Sequence, residues 1–358
     1  MFVSFGVRRV ILEKIDIKSL TIQELEEILI QWNQPKFRAK QIFDWLHKKR
    51  VLSFSEMTNL PEKLREILQS ECQITVLNMQ NKLVSKIDGT VKYLYQLSDK
   101  ECVESVLMKY RHGNSICIST QVGCKMGCAF CASTKAGFVR NLTTSEILQQ
   151  IYQTEQDLSL RVSHVVLMGI GEPLDNYHNV VTFLQLIHSP FGANISLRNI
   201  SLSTCGVVDK INQLAELKLG ITLSVSLHAS SDQVRSQLMP INQKWNIEQL
   251  LKACKYYTNM TGRRISFEYA LIQGENDSIK AANQLADLLK GQLCHVNLIP
   301  VNEVHETTFQ KTNRNHIYQF QKALEQRGIN ATIRRTLGAD INAACGQLRR
   351  DSIYSNSK

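Results

Sequence analysis

The sequence of 358 residues has no run of about 18 apolar residues, which excludes a membrane-spanning helix. Its first stretch, MFVSFGVRRVILEKID, sets Arg8 and Arg9 behind a few apolar residues and offers no small-residue cleavage site. No export signal is expected from it. No low-complexity segment and no internal repeat is present. Ten cysteines are too few for a disulfide scaffold in a chain of this length. A reducing cytoplasm is therefore expected, where a tight group of cysteines binds metal or does chemistry. What is present is ordinary for a folded protein: 43% apolar and 21% charged residues exclude a disordered chain. Lys and Arg number 42 against 32 Asp and Glu, a formal charge of +10 that suits an anionic partner such as nucleic acid. The length predicts two or three domains, or one α/β barrel with an appendage.

The first 75 residues read as helices. Thr21 and Glu24 form a capping-box pattern ahead of a helix over Ile22–Trp32, and Pro35 ends it. A second helix from Phe37 to Leu46 gathers Phe37, Ile42, Phe43, Trp45 and Leu46 on one side. Lys36, Arg38, Lys40, Lys48, Lys49 and Arg50 give this stretch six basic residues against Asp44, either a solvated face or a phosphate-contacting one. Residues 83–108 alternate as strands around the hairpin signal Asp88-Gly89. From Ser115 onward short apolar strands (SICIST, VSHVVLMG, NISLST, ITLSVSLH, RISFEYALI, HVNLIPVN, ATIRRTLG) alternate with helical stretches. That rhythm predicts a parallel βα barrel, complete or partial.

Polar residues gather at one end of those strands: Gly171-Glu172, Ser203-Thr204, Ser226 and His228, and Asn302. In α/β barrels the active site lies at the C-terminal strand ends. In the loop after the first barrel strand stands Cys124-Lys-Met-Gly-Cys128-Ala-Phe-Cys131. Its three thiols have no partner pair of the spacing a structural zinc or a ferredoxin-type cluster wants. Three ligands leave one iron of a [4Fe–4S] cluster open to another molecule.

A C-x3-C-x2-C loop in this position resembles the radical S-adenosylmethionine (SAM) superfamily, whose open iron is chelated by SAM. A narrower resemblance covers nearly the whole chain. Phe37-Arg-Ala-Lys-Gln-Ile-Phe-Asp-Trp-Leu46, Cys117-Ile-Ser-Thr-Gln-Val-Gly-Cys124, Gly169-Ile-Gly-Glu-Pro-Leu-Asp-Asn-Tyr177, Leu202-Ser-Thr-Cys-Gly206, Ser226-Leu-His228 and Ala343-Ala-Cys345-Gly-Gln-Leu348 are similar to the RlmN/Cfr family of radical SAM RNA methyltransferases. That resemblance implies a partial (βα)6 barrel over 111–340. It adds a helical, RNA-binding accessory domain over 1–80, a β-meander extension over 81–110 and a C-terminal segment over 341–358.

The resemblance also implies the chemistry. Carbon 2 of adenine is not nucleophilic, so ordinary methyl transfer from SAM cannot reach it. Two SAM molecules are used instead. One methylates Cys345. The other, cleaved at the cluster on Cys124, Cys128 and Cys131, yields a radical that takes hydrogen from that S-methyl group. The carbon radical adds to the base. Cys117 then removes the carbon-2 proton and resolves the protein–RNA adduct as a disulfide with Cys345, roles that suit a thiol's tunable pKa and ready exchange. Glu104 matches the family's proposed proton acceptor and competes with Cys117 for that role. Gly171, Glu172, Ser203, Ser226, Leu227, His228 and Asn302 match SAM contacts, Glu172 holding the amino group.

The implied substrates are an adenosine of 23S rRNA near the peptidyl-transferase centre and one of tRNA anticodon loops, each exposed from its stack. Lys36, Arg38, Lys40, Lys48, Lys49, Arg334, Arg335, Arg349 and Arg350 are candidates for phosphate contacts. A flavodoxin-type electron donor and a monomeric state are expected. Three other readings compete, one of them a radical SAM enzyme acting on a small molecule, which would not need the basic helical head. The Cfr branch of the family modifies carbon 8 and confers antibiotic resistance, but Cys131-Ala-Ser-Thr and Gly-Glu-Pro-Leu-Asp-Asn-Tyr177 favour carbon 2. A non-catalytic iron–sulfur or zinc RNA-binding module would need neither Glu172 nor the pair Cys117 and Cys345.

Overall fold

A computed structural model describes residues 14–135, 137–301, 309–341 and 343. The head contains α1 (Ile22–Gln31), α2 (Arg38–Asp44) and α3 (Glu62–Glu71). Two short strands, β1 (Ile15–Asp16) and β2 (Cys72–Gln73), pair in parallel and close its ends together. The capping box that opens α1 is formed, with Thr21 and Glu24 bonding each other's backbone amides. Past α2 the chain widens into one π-turn, Trp45–Lys49, which ends on Arg50 in the left-handed region.

A meander follows: β3 (Asn78–Val84), β4 (Val91–Gln96) and β5 (Cys102–Tyr110) pair antiparallel. The expected first strand around Leu83–Asp88 is displaced toward the N-terminus. β3 is an exposed, polar edge strand without apolar alternation, and Ser85–Thr90 is turn. Gly89 supplies the positive φ of that turn.

β5 pairs antiparallel with β6 (Gly113–Cys117), and from there every neighbour in the sheet is parallel. After β6 come a small ribbon of β7 (Gln121–Gly123) and β8 (Phe138–Asn141), with the single turn α4 (Ala132–Lys135) between them. Then α5 (Thr144–Leu158), β9 (Val162–Leu167), α6 (Tyr177–His188), β10 (Ile200–Thr204), α7 (Val208–Glu216) and β11 (Thr222–Ser226) follow. The chain continues through α8 (Asp232–Leu238), α9 (Ile247–Thr261), β12 (Ile265–Leu271), α10 (Ile279–Leu289), β13 (Cys294–Pro300), α11 (Arg314–Gln326) and β14 (Ala331–Ile333).

The large sheet thus runs β14-β13-β12-β11-β10-β9-β6-β5-β4-β3. Among the described residues its edges, β14 and β3, do not pair, so the barrel is open. Six βα units and a closing strand carry the parallel part, which is the partial (βα)6 architecture. Helices follow the parallel strands, whose fully buried positions include Val165, Leu202, Val225, Phe267 and Leu298.

The head is not a loose appendage. One hydrophobic core runs from Ile17 and Phe43 through Tyr152 and Phe183 to Phe320. Helix α5 is buried on nearly all sides because the head packs on one face of it. Ser145 bonds Asp16 at 2.5 Å and Ser19 at 2.9 Å, Lys18 donates to Gln149 at 3.1 Å, and Arg50 pairs with Glu155.

Candidate active site

A cavity of about 370 Å³ opens at the C-terminal ends of the parallel strands. Cys117 closes β6, Met168 and Gly169 follow β9, Ser203 and Thr204 end β10, Ser226 ends β11, and Ile299 and Pro300 end β13; all line it. Cys124, Cys128 and Cys131 line the same cavity from the loop between β7 and α4. That loop leaves a tight crossing. A Cβ on Gly123, which has φ +75°, would lie 1.7 Å from the Gly137 carbonyl oxygen. The Cys124 amide donates to that same oxygen at 3.2 Å. Farther on, Ala129 N–H donates to the Leu238 carbonyl at 2.9 Å, and the Thr134 hydroxyl donates to the Cys131 carbonyl at 3.0 Å. The loop is therefore fastened at its start, middle and end.

Burial pushes the Cys124 thiol up to about 12 and Cys128 higher still. Thiols so placed become thiolates when a bound metal supplies the positive charge. Among the described residues no three His, Cys, Asp or Glu side chains converge on one point as a mononuclear metal site requires. Three soft donors spread around one cavity wall fit an iron–sulfur cluster, where each thiolate takes its own iron.

Glu172 also faces the cavity and is buried. Its carboxylate accepts the Cys205 amide at 2.7 Å and the Leu174 amide at 3.0 Å. Desolvation nonetheless raises its pKa, the amide hydrogen bonds opposing it. Gln121 fixes the turn beneath. Its oxygen accepts Glu172 N–H at 2.8 Å, and its amide group donates to Asn141 and Asp175, each at 2.8 Å. Gly171 cannot carry a side chain there, since a Cβ would meet Gln121 Cβ at 2.5 Å with φ at +106°.

His228 lies beside Phe130, ring centroids 4.9 Å apart and edge-on. Its Nδ1 accepts the Ala270 amide at 2.9 Å, which leaves Nε2 as the protonated nitrogen. Burial and then the nearby Arg235 charge hold its pKa down to about 3, so the ring is neutral at pH 7. Ser203 and Ser226 line the cavity, whereas Leu227 is fully buried and its amide donates to the Glu268 carbonyl at 3.0 Å. Asn302 lies outside the described residues, just past the cavity-lining Val301.

Cys117 packs with Val106 and Met108, and Tyr110, Met168, Leu337 and Ala343 cover them. Ala343 lines the cavity too. Cys345, two residues on, lies outside the described residues, as do Arg349 and Arg350. The nine described cysteines form no disulfide with one another. The expected Cys117–Cys345 bridge therefore has only one partner within the described residues.

Glu104 is buried on β5 with its carboxylate 3.0 Å from Lys92 Nζ, and it is not among the residues that line the cavity.

Two further groups had no sequence signal. Glu268 lines the cavity; burial raises its pKa against hydrogen bonds from Asn297 at 2.7 Å and Ser266 at 3.0 Å. A single inward carboxylate within RISFEYALI leaves no pattern to read. Arg235 on α8 is fully buried and donates to four oxygens: Cys205 carbonyl at 2.8 Å, Ser226 carbonyl at 3.1 Å, Leu227 carbonyl at 3.2 Å and Asn242 Oδ1 at 2.9 Å. An Arg on a polar seven-residue helix reads as exposed.

Comparison with known proteins agrees with this geometry. The profile of the Radical SAM superfamily matches residues 118–286, and that of the ribosomal RNA large subunit methyltransferase N-terminal domain matches 15–74. The "Probable dual-specificity RNA methyltransferase RlmN" of Lachnoclostridium phytofermentans is 53% identical over 340 residues, 95% of this chain and 96% of that protein. Its namesake from Alkaliphilus oremlandii is 54% identical over 344 residues, 96% of this chain and all of the other. The chain belongs to the RlmN family of radical SAM RNA methyltransferases. A crystal structure of a radical SAM methyltransferase from Sphaerobacter thermophilus superimposes with a TM-score of 0.88 at 40% identity, covering 93% of this chain and 98% of that one. The radical SAM domain of this RlmN-family chain implies a site for SAM and an iron–sulfur cluster, and the cavity's donor set suits both. Among the described residues no helix is long and apolar enough to cross a membrane.

Proposed function

We propose that this chain methylates carbon 2 of adenosine in 23S rRNA and in tRNA, with Cys345 as methyl carrier and Cys117 as the resolving thiol. One observation carries the reading. Cys117, the three loop thiols and Glu172 face one cavity, and its wall includes Ala343, two residues ahead of Cys345. Cys124, Cys128 and Cys131 would hold a [4Fe–4S] cluster, which with SAM would supply the hydrogen-abstracting radical chemistry that an unreactive aryl carbon demands.

The chain's own groups do the rest. The Glu172 carboxylate, already oriented by two amides, receives the SAM ammonium. Gly171 keeps the backbone open to close approach. The neutral His228 presents Nε2–H as a donor, and Ser203, Ser226, Leu227 and Asn302 complete the cofactor's surroundings. Cys345 accepts a methyl group as thiolate. Cys117 takes the carbon-2 proton and closes a disulfide with Cys345 as the RNA leaves. A flavodoxin-type reductant supplies the electron, and the disulfide is reduced between turnovers.

RNA reaches the cavity along basic groups. Lys36, Lys40, Lys48 and Lys49 are exposed in the head beside the exposed Phe37. Arg38 and Arg50 are engaged internally, with Gln41 and Glu155 respectively. Arg334 and Arg335 are exposed at the cavity mouth. A cytoplasmic monomer is the proposed working form.

The test uses anaerobically reconstituted protein, methyl-labelled SAM, a reductant and a 23S rRNA fragment or a tRNA. Digestion and mass spectrometry then identify the methylated nucleoside. 2-Methyladenosine from the native chain and none from Cys345→Ala is the expected result. 8-Methyladenosine would replace the carbon-2 assignment. SAM cleavage with no methylated base would sink the substrate assignment.

A further inference from the structure

Arg235 presents an electrostatic problem that its neighbours do not solve. The guanidinium is fully buried, and a buried cation costs several kcal/mol unless a counter-charge offsets it. Four of its five N–H groups are satisfied, but every acceptor is neutral: three main-chain carbonyls and the Asn242 side-chain oxygen. Among the described residues no carboxylate lies within ion-pair distance of it. The nearby Asp232 is committed elsewhere, accepting the Asn242 amide group and the Ile247 N–H, each at 2.9 Å.

The carbonyls it grips are informative. Cys205 belongs to the loop after β10, and Ser226 and Leu227 to the end of β11. Cys205 N–H is also one of the two amides that hold the Glu172 carboxylate. Arg235 therefore joins the two loops that shape the cofactor side of the cavity. Its own helix also holds the thiol loop, since the Leu238 carbonyl at the end of α8 accepts the Ala129 N–H beside Cys128 at 2.9 Å.

We infer that Arg235 is the fixed counter-charge of the iron–sulfur site, a positioning residue whose buried cation is balanced by the thiolate-bound cluster. The inference rests on the reading of Cys124, Cys128 and Cys131 as cluster ligands. Three thiolates around a dicationic cluster core leave a net negative charge, and reduction by one electron increases it. A cation held rigidly nearby favours the reduced form, because cluster potentials follow local charge and hydrogen bonding. The cluster's negative charge in turn removes the penalty of burying the guanidinium. Each is more stable in the presence of the other, so their free energies are coupled.

The test compares wild type with Arg235→Met and Arg235→Lys in full-length protein, without and with reconstituted cluster. The iron content and the electron-spin signal of each preparation are checked first. Two readouts follow: the rise in unfolding midpoint on cluster loading, and the cluster's reduction midpoint by redox titration. Wild type and Arg235→Lys are expected to gain more stability from loading than Arg235→Met does. The reduction equilibrium of Arg235→Met is expected to be about tenfold less favourable, 59 mV for a one-electron couple. Arg235→Lys keeps the charge and loses the planar fork. It should stay near the wild-type potential while binding SAM more weakly.

Equal loading increments and equal potentials in Arg235→Met would overturn the inference. So would an Arg235→Met protein that fails to fold even when loaded, since the guanidinium would then be a structural clamp alone. Wild type that takes up no cluster would instead overturn the ligand reading itself.

Discussion

The Gly338 amide donates to the Asp88 carboxylate at 2.8 Å across 250 residues of sequence. This bond is the centre of a clasp. Ser85 Oγ and Lys86 N–H donate to Asp340 at 2.7 and 2.9 Å, and Ala343 N–H turns back to the Gly338 carbonyl at 3.1 Å. The Asp88-Gly89 turn of the meander thus seizes the chain just where it leaves β14 for the cavity. Gly338, at φ +60°, is packed so closely that a Cβ would meet Ala343 Cβ at 2.6 Å.

The clasp should open when its carboxylate is removed. Burial would raise the Asp88 pKa, but hydrogen bonds from Gly338, Thr90 and Ser85 outweigh it and hold it at about 2. The folded value lies below the ordinary 3.8, so the clasp is fully formed above about pH 4 and weakens as pH falls toward 2. A charged hydrogen bond at a solvated site contributes roughly 1 kcal/mol. Asp88→Ala is therefore expected to speed amide exchange over 338–341 several-fold at pH 7 and leave the barrel strands unchanged. Unaltered exchange in that segment would count against the clasp.

Gly123 and Gly137 provide a matched pair. Both have positive φ, but a Cβ on Gly137 meets nothing within 4 Å, whereas one on Gly123 collides with backbone. Gly137→Ala should cost about 1 kcal/mol, the ordinary left-handed penalty. Gly123→Ala should cost at least about 3 kcal/mol and displace the thiol loop. The measurement is iron bound per chain after reconstitution together with the unfolding midpoint. Equal values for the two variants would contradict the crossing geometry.

Lys92 and Glu104 form a buried ion pair, with side chains 0% and 3% exposed. Removing one partner of such a pair costs roughly 3–5 kcal/mol, while replacing both by apolar residues is often neutral. Lys92→Met should destabilise strongly, and adding Glu104→Leu should restore much of the loss in chemical denaturation. RNA methylation by the double variant separates the roles of Glu104. Full activity means that Cys117 alone serves as proton acceptor.

His47 makes the interface between head and barrel sensitive to acid. It is fully buried, with Nδ1 against Tyr152 OH at 3.1 Å, and Nε2 has no partner among the described residues. Burial, then Lys18, holds its pKa down to about 3 against an ordinary 6.5. Because the folded value is the lower one, stability is complete above about pH 6.5 and falls as pH drops. At pH 5 His47 should account for about 2 kcal/mol of loss. Urea titrations at pH 7.5 and pH 5 should show a smaller difference in His47→Gln than in wild type.

Much of the site was legible because chemistry demands adjacency there. Cys124, Cys128 and Cys131 lie within eight residues, and Gly171-Glu172 and Ser226-Leu-His228 stand where periodic strands end. The helical stretches between the strands were readable because the apolar faces of helices such as α10 and α11 repeat cleanly. Strand β3 was misplaced because an exposed edge strand carries no apolar alternation. Glu104 was read from a motif alone, and its partner Lys92 comes from the neighbouring strand, two positions off the direct register partner Leu94.

The sequence by itself determined the family, the thiol loop, the alternation of strands and helices, and which strand ends are polar. Those properties depend on local spacing, and local spacing survives without a fold. Tertiary structure decided that Arg235 is buried without a carboxylate, that Glu268 faces the cavity, and that Asp88 holds Gly338. Each of those depends on which distant segments share one enclosed volume, where desolvation makes a charge or a hydrogen bond matter far more than it does in water.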